Sequence, residues 1–280
     1  MNIYDIAKEA GVSISTVSRV LNDKGYVSAK TKARIQEVLK RNKYQPSAIA
    51  RGLVSGTMKN VAIVTVDVRH PHYAMTTFIM EQKLTGLGYM VLVCNTGAKK
   101  EECMKYLRML SRNQVEGVIL VGSEFNELCD PDELSQLLPE TPIVMANGEL
   151  KLPSVQSILV DEGYGVQLAV QHLYDRGHRN ISFGMDTQKD AAVRKRNGFL
   201  MKMKQFGYDD AKERILYTGY GVEGGEQAAK QIVGDARRYD AAIFTEDLTA
   251  IYAMNTLQNM GYRIPEDIAV IGCNNSEYSR

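Results

Sequence analysis

From Asn60 onward, short apolar runs rich in β-branched residues alternate with segments of helical periodicity. Nine such runs follow one another, including VAIVTVDV, GVILVG and IAVIGCN, and helical spacing is clear at 75–88, 101–112, 163–175 and 191–206. Near-continuous apolar strands alternating with helices are typical of parallel sheets covered on both faces. Nine strands fit two linked sheets, with ligands binding at the carboxyl ends of the strands.

The first sixty residues have a purely helical pattern. A short helix is predicted from four apolar residues at helical spacing, which are Ile3, Ile6, Ala7 and Ala10. Gly11 supplies the turn, Ser13 stands where an N-cap begins a second helix, and a third helix follows Ser28. Small residues at the contact, a glycine turn and the β-branched Val17 between helices indicate a helix-turn-helix. A small helical bundle with an ordinary polar surface is the alternative.

Charge is distributed unevenly along the chain. Residues 1–59 contain 11 Lys and Arg against 4 Asp and Glu, a net charge of +7, although the whole chain carries only +1. A basic head on an acidic body is typical of proteins that bind nucleic acid. A solvated basic face is the other interpretation.

In a helix-turn-helix, the second helix enters the major groove with its N-terminal residues foremost. Arg19 suits a guanine edge, Ser15 suits several bases, and Ile14 suits a thymine methyl group. Hydroxyl and amide side chains suited to phosphates stand at Thr16, Ser18 and Asn22.

The run IYDIAKEAGVSISTVSRVLN, followed by VSAKTKARIQEVLKRNKYQPSAIARGL, resembles the DNA-binding end of the lactose-repressor and galactose-repressor (LacI/GalR) family. HPHYA, HLYDRGHRNISF and GYRIPEDIAVIG resemble its regulatory core, a two-lobed periplasmic-binding-protein-like α/β fold with parallel sheets. The resemblance implies a small all-α helix-turn-helix head over 1–45, a hinge helix and linker over 46–57, and an effector-binding and dimerisation core over 58–280.

The segment 46–57 is predicted to form a short hinge helix. Pro46 can begin a helix, but a helix this short is not stable alone in water. In the family that the chain resembles, the hinge folds on the operator, pairs with that of the dimer mate and wedges a leucine into the minor groove. That leucine matches Leu53, with Ala50 beside it in the expected DNA contact. A flexible linker is the alternative.

The resemblance also implies effector-binding positions. His72 and Tyr73 occupy the first loop, and Lys195 stands where the family has an arginine that grips the effector. The other implied positions are Arg194, Arg196, Glu246, Asp247 and Asn274. Lys195, Glu246 and Asn274 depart from the usual family residues. The basic cluster 194–196 suits a carboxylate or phosphate on the effector, and a solvated helix face explains it equally well.

These resemblances imply a sequence-specific transcriptional regulator, a repressor of carbohydrate-metabolism genes under the control of a small sugar-like effector between two lobes. Its expected partners are a pseudo-palindromic operator in double-stranded DNA, the effector and a second copy in a homodimer. We expect no enzymatic activity, no cofactor, no metal and no membrane association. A phosphorylated co-regulator protein in place of a sugar is an alternative.

Other motifs compete with this interpretation. GYGVEG at 219–224 matches the dinucleotide-binding pattern, with Glu246 some twenty residues later, so an NAD-dependent enzyme is the rival prediction. His70 and His72 could pair on a metal, but no ligand of suitable spacing accompanies them.

Four scattered cysteines and the absence of a signal peptide or spanning segment predict a cytoplasmic protein with reduced thiols.

The chain stops at Arg280, directly after the loop that contains Asn274. Family members usually continue for about fifty residues, so a chain ending here is expected to leave an apolar face and a strand edge uncovered. We therefore expect weaker dimerisation and a poorer effector response than in longer relatives.

Overall fold

A computed structural model describes residues 2–23, 25–44 and 57–279. The chain divides into two compact units, one up to Lys59 and one from Asn60. The described residues of the first unit form three helices, α1 (Ile3–Ala10), α2 (Ile14–Leu21) and α3 (Ala29–Arg41), as the sequence predicts. The predicted hinge positions Ala50 and Leu53 lie outside the described residues.

Local capping sets the ends of these helices. The Asn2 side chain accepts from the backbone of α1 while the Asp5 carboxylate accepts from the Asn2 amide, which forms a capping box. Gly11 ends α1 with φ 61°, a left-handed conformation that glycine adopts without strain. Ser13 and Ser28 cap α2 and α3 through their hydroxyl groups, as predicted.

The three helices share one small core. Its fully or nearly fully buried side chains are Ile6, Ala7, Ala10, Val17, Ile35 and Val38. Val17 is completely buried between the helices, while the neighbouring residues of α2 remain at least partly exposed. The apolar face of α2 is therefore used for packing, and its other face is free to contact a ligand.

The second unit contains two parallel sheets. The first has the order β2-β1-β3-β4-β5 and the second the order β7-β6-β8-β9. The strands are β1 (Asn60–Thr65), β2 (Met90–Asn95), β3 (Gly117–Val121), β4 (Ile143–Ala146), β5 (Val155–Ile158), β6 (Ile181–Met185), β7 (Ile215–Tyr217), β8 (Ala241–Phe244) and β9 (Ala269–Ile271). The predicted fold class, a small helical head and an α/β core of nine strands in two linked parallel sheets, is confirmed.

Helices connect the strands of each sheet. They are α4 (Pro71–Gly86), α5 (Lys100–Arg112), α6 (Phe125–Leu128), α7 (Pro131–Leu137), α8 (Glu162–Asp175), α9 (Asp190–Gln205), α10 (Gly221–Gly234) and α11 (Asp247–Asn259). Four of them correspond to the predicted helical stretches, although α4 begins four residues earlier than its apolar spacing suggests, because Pro71 is favourable in a first helical turn.

Parallel pairing brings the carboxyl ends of neighbouring strands together. In the first sheet Thr65 of β1 pairs with Val121 of β3, and in the second Gly184 of β6 pairs with Phe244 of β8. The residues that follow β1 and β3 are therefore neighbours in the first sheet, and those that follow β6 and β8 are neighbours in the second. The loops at this edge carry most of the polar side chains described below.

Candidate functional site

The exposed face of α2 is the first candidate site. Ser15, Arg19 and Asn22 are exposed, and Ile14 retains 39% of its surface despite being apolar. Thr16 and Ser18 are half-buried beside them. All six residues predicted to contact DNA in this helix therefore lie on or beside its solvent-facing side.

Hydrogen bonds order the polar side chains at the two ends of α2. The Ser13 hydroxyl contacts those of Ser15 (2.9 Å) and Thr16 (2.8 Å) and also accepts from the Thr16 backbone. At the other end, the Asn22 amide donates to the Ser18 carbonyl at 2.9 Å. Hydroxyl groups and the positive helix N-terminus favour contact with phosphate oxygens.

The second candidate site is a cavity of about 890 Å³ in the second unit. It is lined by four carboxylates that stand one to three residues after strands of both sheets, namely Asp67, Glu124, Asp186 and Glu246. The volume lies within the range of small-molecule sites, and the position at the carboxyl ends of parallel strands is the one that the fold predicts.

Lys195, on α9, is the buried cation of this cavity. Its ammonium group lies 3.4 Å from the Glu162 carboxylate and donates to the Thr245 carbonyl at 3.0 Å. Burial opposes the charge, but Cys273, Glu162 and Glu246 together hold the pKa of Lys195 above its ordinary value. The ammonium is therefore fully charged and already partnered.

A close helix crossing positions this lysine. A Cβ atom on Gly198 of α9 would lie 2.1 Å from the carbonyl oxygen of Gly163 on α8, so only glycine permits the observed approach. Gly163 directly follows Glu162 at the start of α8. The crossing thus brings the first turn of α8 against the turn of α9 that carries Lys195.

Glu246 is a carboxylate in an unfavourable environment. Its side chain is 19% exposed, and it accepts from the Asn274 amide at 2.7 Å. Burial raises the pKa of Glu246 to about 7, with a further increase from the nearby Asp186, and Lys195 only partly opposes the shift. This group therefore changes charge near neutral pH.

Aromatic rings form one wall of the cavity. The His70 ring stacks on Tyr220 with centroids 5.0 Å apart and also lies 5.0 Å from the ring of Tyr73. The Tyr73 hydroxyl donates to the Glu124 carboxylate at 2.8 Å. Burial, followed by the charges of nearby carboxylates, raises the pKa of Tyr220 to about 12.

The predicted effector residues fall into three groups. Tyr73, Lys195 and Glu246 line the cavity. His72 and Asn274 line an adjoining cavity of about 770 Å³, although Asn274 also contacts Glu246. The remaining three predicted residues, Arg194, Arg196 and Asp247, do not line the 890 Å³ cavity.

The side chains of this third group have other partners. Arg194 contacts the Asn147 amide oxygen at 3.4 Å, and Arg196 contacts that of its neighbour Asn197. Asp247 is buried and accepts from the backbone of Ser276 at 2.6 Å. Two adjacent residues of a helix point about 100° apart, which explains why the flanking arginines do not share the cavity with Lys195.

Several residues of the cavity escaped the sequence analysis. Asp67, Glu124 and Asp186 line it together with Tyr220. Each of these carboxylates stands one to three residues after the end of a strand in the structure, although the predicted runs VAIVTVDV and NISFGMD already include Asp67 and Asp186. They were not predicted because the candidate residues were taken only from positions that match the family's motifs.

The two histidines of the H-P-H motif line the two adjoining cavities, His70 the first and His72 the second. In the part of the chain that the structure describes, no group of three His, Cys, Asp or Glu side chains could hold a metal ion. The His70 ring stacks on Tyr220 and lies tilted against Tyr73, and burial lowers the pKa of both His70 and His72. No described helix is long and apolar enough to cross a membrane.

Comparison with known proteins assigns the family. The model for bacterial regulatory proteins of the lacI family matches residues 2–47, and that for periplasmic binding protein-like domains matches residues 170–280. An HTH-type transcriptional regulator from Lachnoclostridium phytofermentans is 32% identical over 278 residues, which span 99% of this chain and 84% of the relative. The chain belongs to the LacI family of bacterial regulatory proteins.

Other LacI-family proteins are similar over the same length. The transcriptional repressor PurR of Mannheimia succiniciproducens is 30% identical, over 99% of this chain and 83% of its own. The lac repressor dimer bound to operator and the anti-inducer ONPF shares the fold, with a TM-score of 0.83 and 22% identity over 100% of this chain and 84% of its own. A CelR–cellobiose complex has a TM-score of 0.62 and 26% identity, over 99% and 83%.

This LacI-family chain is a DNA-binding transcriptional regulator, and the dinucleotide-binding interpretation of GYGVEG is wrong. Packing accounts for the glycines instead. A Cβ atom on Gly224 would lie 1.7 Å from the Gly219 carbonyl oxygen, and one on Gly225, which directly follows the motif, would lie 2.5 Å from Tyr252 of α11. The glycines allow a tight turn into α10 and close contact between α10 and α11.

Proposed function

We propose that this LacI-family regulator is a cytoplasmic homodimeric repressor of carbohydrate-metabolism genes. Two copies bind a pseudo-palindromic operator through α2, and a small sugar-like effector in the 890 Å³ cavity controls that binding. The observation that carries the proposal is the coexistence, in one LacI-family chain, of an exposed helix-turn-helix surface and a polar cavity between two parallel sheets.

The roles within α2 follow from side-chain chemistry. Arg19 is the candidate for bidentate contact with guanine, and the exposed Ile14 is the candidate for a thymine methyl group. Thr16 and Ser18 fix the register through phosphates. In the proposed complex, Leu53 and Ala50 add minor-groove contacts at the centre of the operator.

The assignment of a sugar-like effector has two supports. The cavity combines aromatic rings with carboxylates and a lysine, and these groups together stack on a sugar ring and bond its hydroxyls. A LacI-fold relative, CelR, is known in complex with cellobiose. Effector binding is expected to shift the two sheets relative to each other, which biases hinge pairing and so the affinity for DNA.

Selection from random duplex DNA by the purified chain tests the DNA-binding half of the proposal. We expect recovery of a site with two-fold symmetry near physiological salt. Arg19→Ala should lose the preference at one position of each half-site, at a cost of about 1–3 kcal/mol. Lys40→Ala removes the same charge from the exposed side of α3 and serves as the matched control.

The control separates base recognition from general attraction to phosphates. Lys40→Ala should leave the recovered sequence unchanged and only weaken binding to all duplexes alike. If Arg19→Ala and Lys40→Ala have the same effect, or if no sequence is enriched by the wild type, the assignment of α2 as the recognition helix is wrong.

A further inference from the structure

The cations around the 890 Å³ cavity are already neutralised. Each one that lines it has an anionic partner within 3.4 Å, and the three pairs are Arg69 with Asp67, Lys189 with Glu127, and Lys195 with Glu162. Outside the lining, the neighbouring Arg194 and Arg196 contact amide oxygens instead of the cavity. The described residues therefore offer no unpaired cation to an acidic ligand here.

Three lining carboxylates lack such a partner. Among the described side chains, Glu124 accepts only from the Tyr73 hydroxyl, and Asp186 accepts from the hydroxyl of Thr245. Glu246 accepts from an amide and has one imidazole nitrogen, that of His70, 3.7 Å away. Among the described residues, none of the three carboxylates is within salt-bridge distance of a lysine or arginine.

The His70 imidazole does not supply the positive charge that these carboxylates lack. Burial lowers the pKa of His70, so the ring is mainly neutral at pH 7. Its Nδ1 atom is buried and has no hydrogen-bond partner among the described residues. The cavity thus has an excess of negative charge within low-dielectric walls, which concentrates the potential there.

The raised pKa values of two lining groups agree with this excess of negative charge. Burial is the first cause of the raised pKa values of Glu246 and Tyr220, and carboxylates add to both shifts. Asp186 contributes to each of them. A bound cation would relieve this repulsion, whereas a neutral ligand would leave it in place.

The aromatic wall favours the same kind of ligand. His70, Tyr220 and Tyr73 all line the cavity, with the His70 ring stacked on Tyr220 and Tyr73 beside it. The face of a tyrosine ring attracts an ammonium group, and does so more strongly where water is excluded. Carboxylates together with ring faces are the combination that recognises an organic cation.

We propose that the effector carries a protonated amine on a polyhydroxylated frame, as an amino sugar does. This inference rests on the proposed function, because it concerns the same cavity and names the chemical class of its ligand. The amine lies among Glu124, Asp186 and Glu246, and the hydroxyl groups use the remaining polar side chains of the cavity. Acidic sugars and sugar phosphates are selected against.

Isothermal titration of the full chain with matched trios of ligands tests the inference. Each trio contains an amino sugar, its neutral parent and the corresponding sugar acid, such as glucosamine, glucose and gluconate, with the galactose and mannose series alongside. At least one amino sugar should bind about tenfold or more tightly than its neutral parent, a difference of about 1.4 kcal/mol. The sugar acids should bind most weakly.

Asp186→Asn provides a second readout. An asparagine still accepts the Thr245 hydroxyl through its amide oxygen, so the fold is preserved while one charge is lost. The variant should lower affinity for the amino sugar about tenfold more than it lowers affinity for the neutral parent. Glu226→Gln, on the exposed face of α10, is the charge-matched control and should change neither.

The outcomes separate this inference from the proposed function. Tighter binding of a neutral or acidic sugar than of its amine contradicts the inference but supports a sugar-responsive regulator. Failure of every amine to bind at about 10 mM also overturns the inference. Selection of operator DNA by the same preparation shows independently whether the DNA-binding half of the proposed function holds.

Discussion

The ammonium group of Lys195 lies 3.4 Å from the carboxylate of Glu162, and the two side chains are only 8% and 12% exposed. This buried ion pair joins α9 to the start of α8 at the edge of the effector cavity. The lysine also donates to the Thr245 carbonyl, which directly follows β8. One side chain thus connects two helices and the strand end that carries Glu246.

Lys195→Met should destabilise the second unit. The substitution leaves the Glu162 carboxylate buried beside an apolar side chain, which typically costs about 3–5 kcal/mol. Urea denaturation measures the change in the free energy of unfolding. Lys189→Met breaks the exposed pair with Glu127 and should cost less than about 1 kcal/mol. Equal losses in the two variants would contradict the structural role of the buried pair.

Gly198→Ala should separate α8 from α9. The new methyl group would meet the Gly163 carbonyl at 2.1 Å, so the helices must move apart, and we expect a loss of about 1–3 kcal/mol. Gly165→Ala is the matched control within α8, since a Cβ atom there meets nothing within 4 Å. Alanine is the better helix former, so this control should be neutral or stabilising by up to about 1 kcal/mol. Thermal unfolding distinguishes the two.

The contribution of Glu246 to stability should fall as pH rises from the ordinary pKa of a glutamate to about 7. The pKa of this residue is raised to about 7, so the folded state binds a proton more tightly than the unfolded chain does. The free energy of unfolding therefore decreases between the ordinary pKa of the group and its folded value. Glu246→Gln keeps an acceptor for Asn274 and removes the charge.

The Tm of Glu246→Gln relative to the wild type should rise across this pH range, and the change is centred between the two pKa values. Glu226→Gln, at an exposed position, should follow the wild type throughout. A constant difference between Glu246→Gln and the wild type at every pH would show that Glu246 does not titrate in this window.

Val17→Ala should affect the head alone. Val17 is fully buried between the three helices, and loss of two methyl groups there costs about 1–3 kcal/mol in a unit with little stability to spare. We expect strongly weakened operator binding at 37 °C, together with an unchanged thermal transition of the second unit. A shift of that second transition would mean that the two units do not unfold separately.

Much of the fold could be predicted because it depends on local patterns. Gly11, Ser13 and Ser28 mark the helix ends through their own backbone and side-chain chemistry, and apolar runs mark all nine strands. The cavity depends instead on contacts between distant segments. Asn274 meets Glu246 across 28 residues of sequence, and Tyr73 meets Glu124 across 51.

The basic run at 194–196 shows most clearly what the sequence alone could not predict about the cavity. Its three residues are adjacent in sequence, so charge alone predicts a cationic site. Helical geometry turns Lys195 inward and its two neighbours away, and Glu162 then neutralises the one residue of this run that enters the cavity. The position of Lys195 and its pairing with Glu162 depend on the crossing of α8 and α9. A local sequence pattern does not predict this crossing.

The symmetry of the bound DNA tests the central claim most directly. The measurement is the number of chains per duplex, determined by sedimentation on a site recovered by selection, together with affinity after one half-site is scrambled. We predict two chains per duplex and a steep loss of affinity when either half-site is destroyed. A single chain per duplex, with affinity insensitive to the second half-site, would contradict a repressor that acts as a dimer.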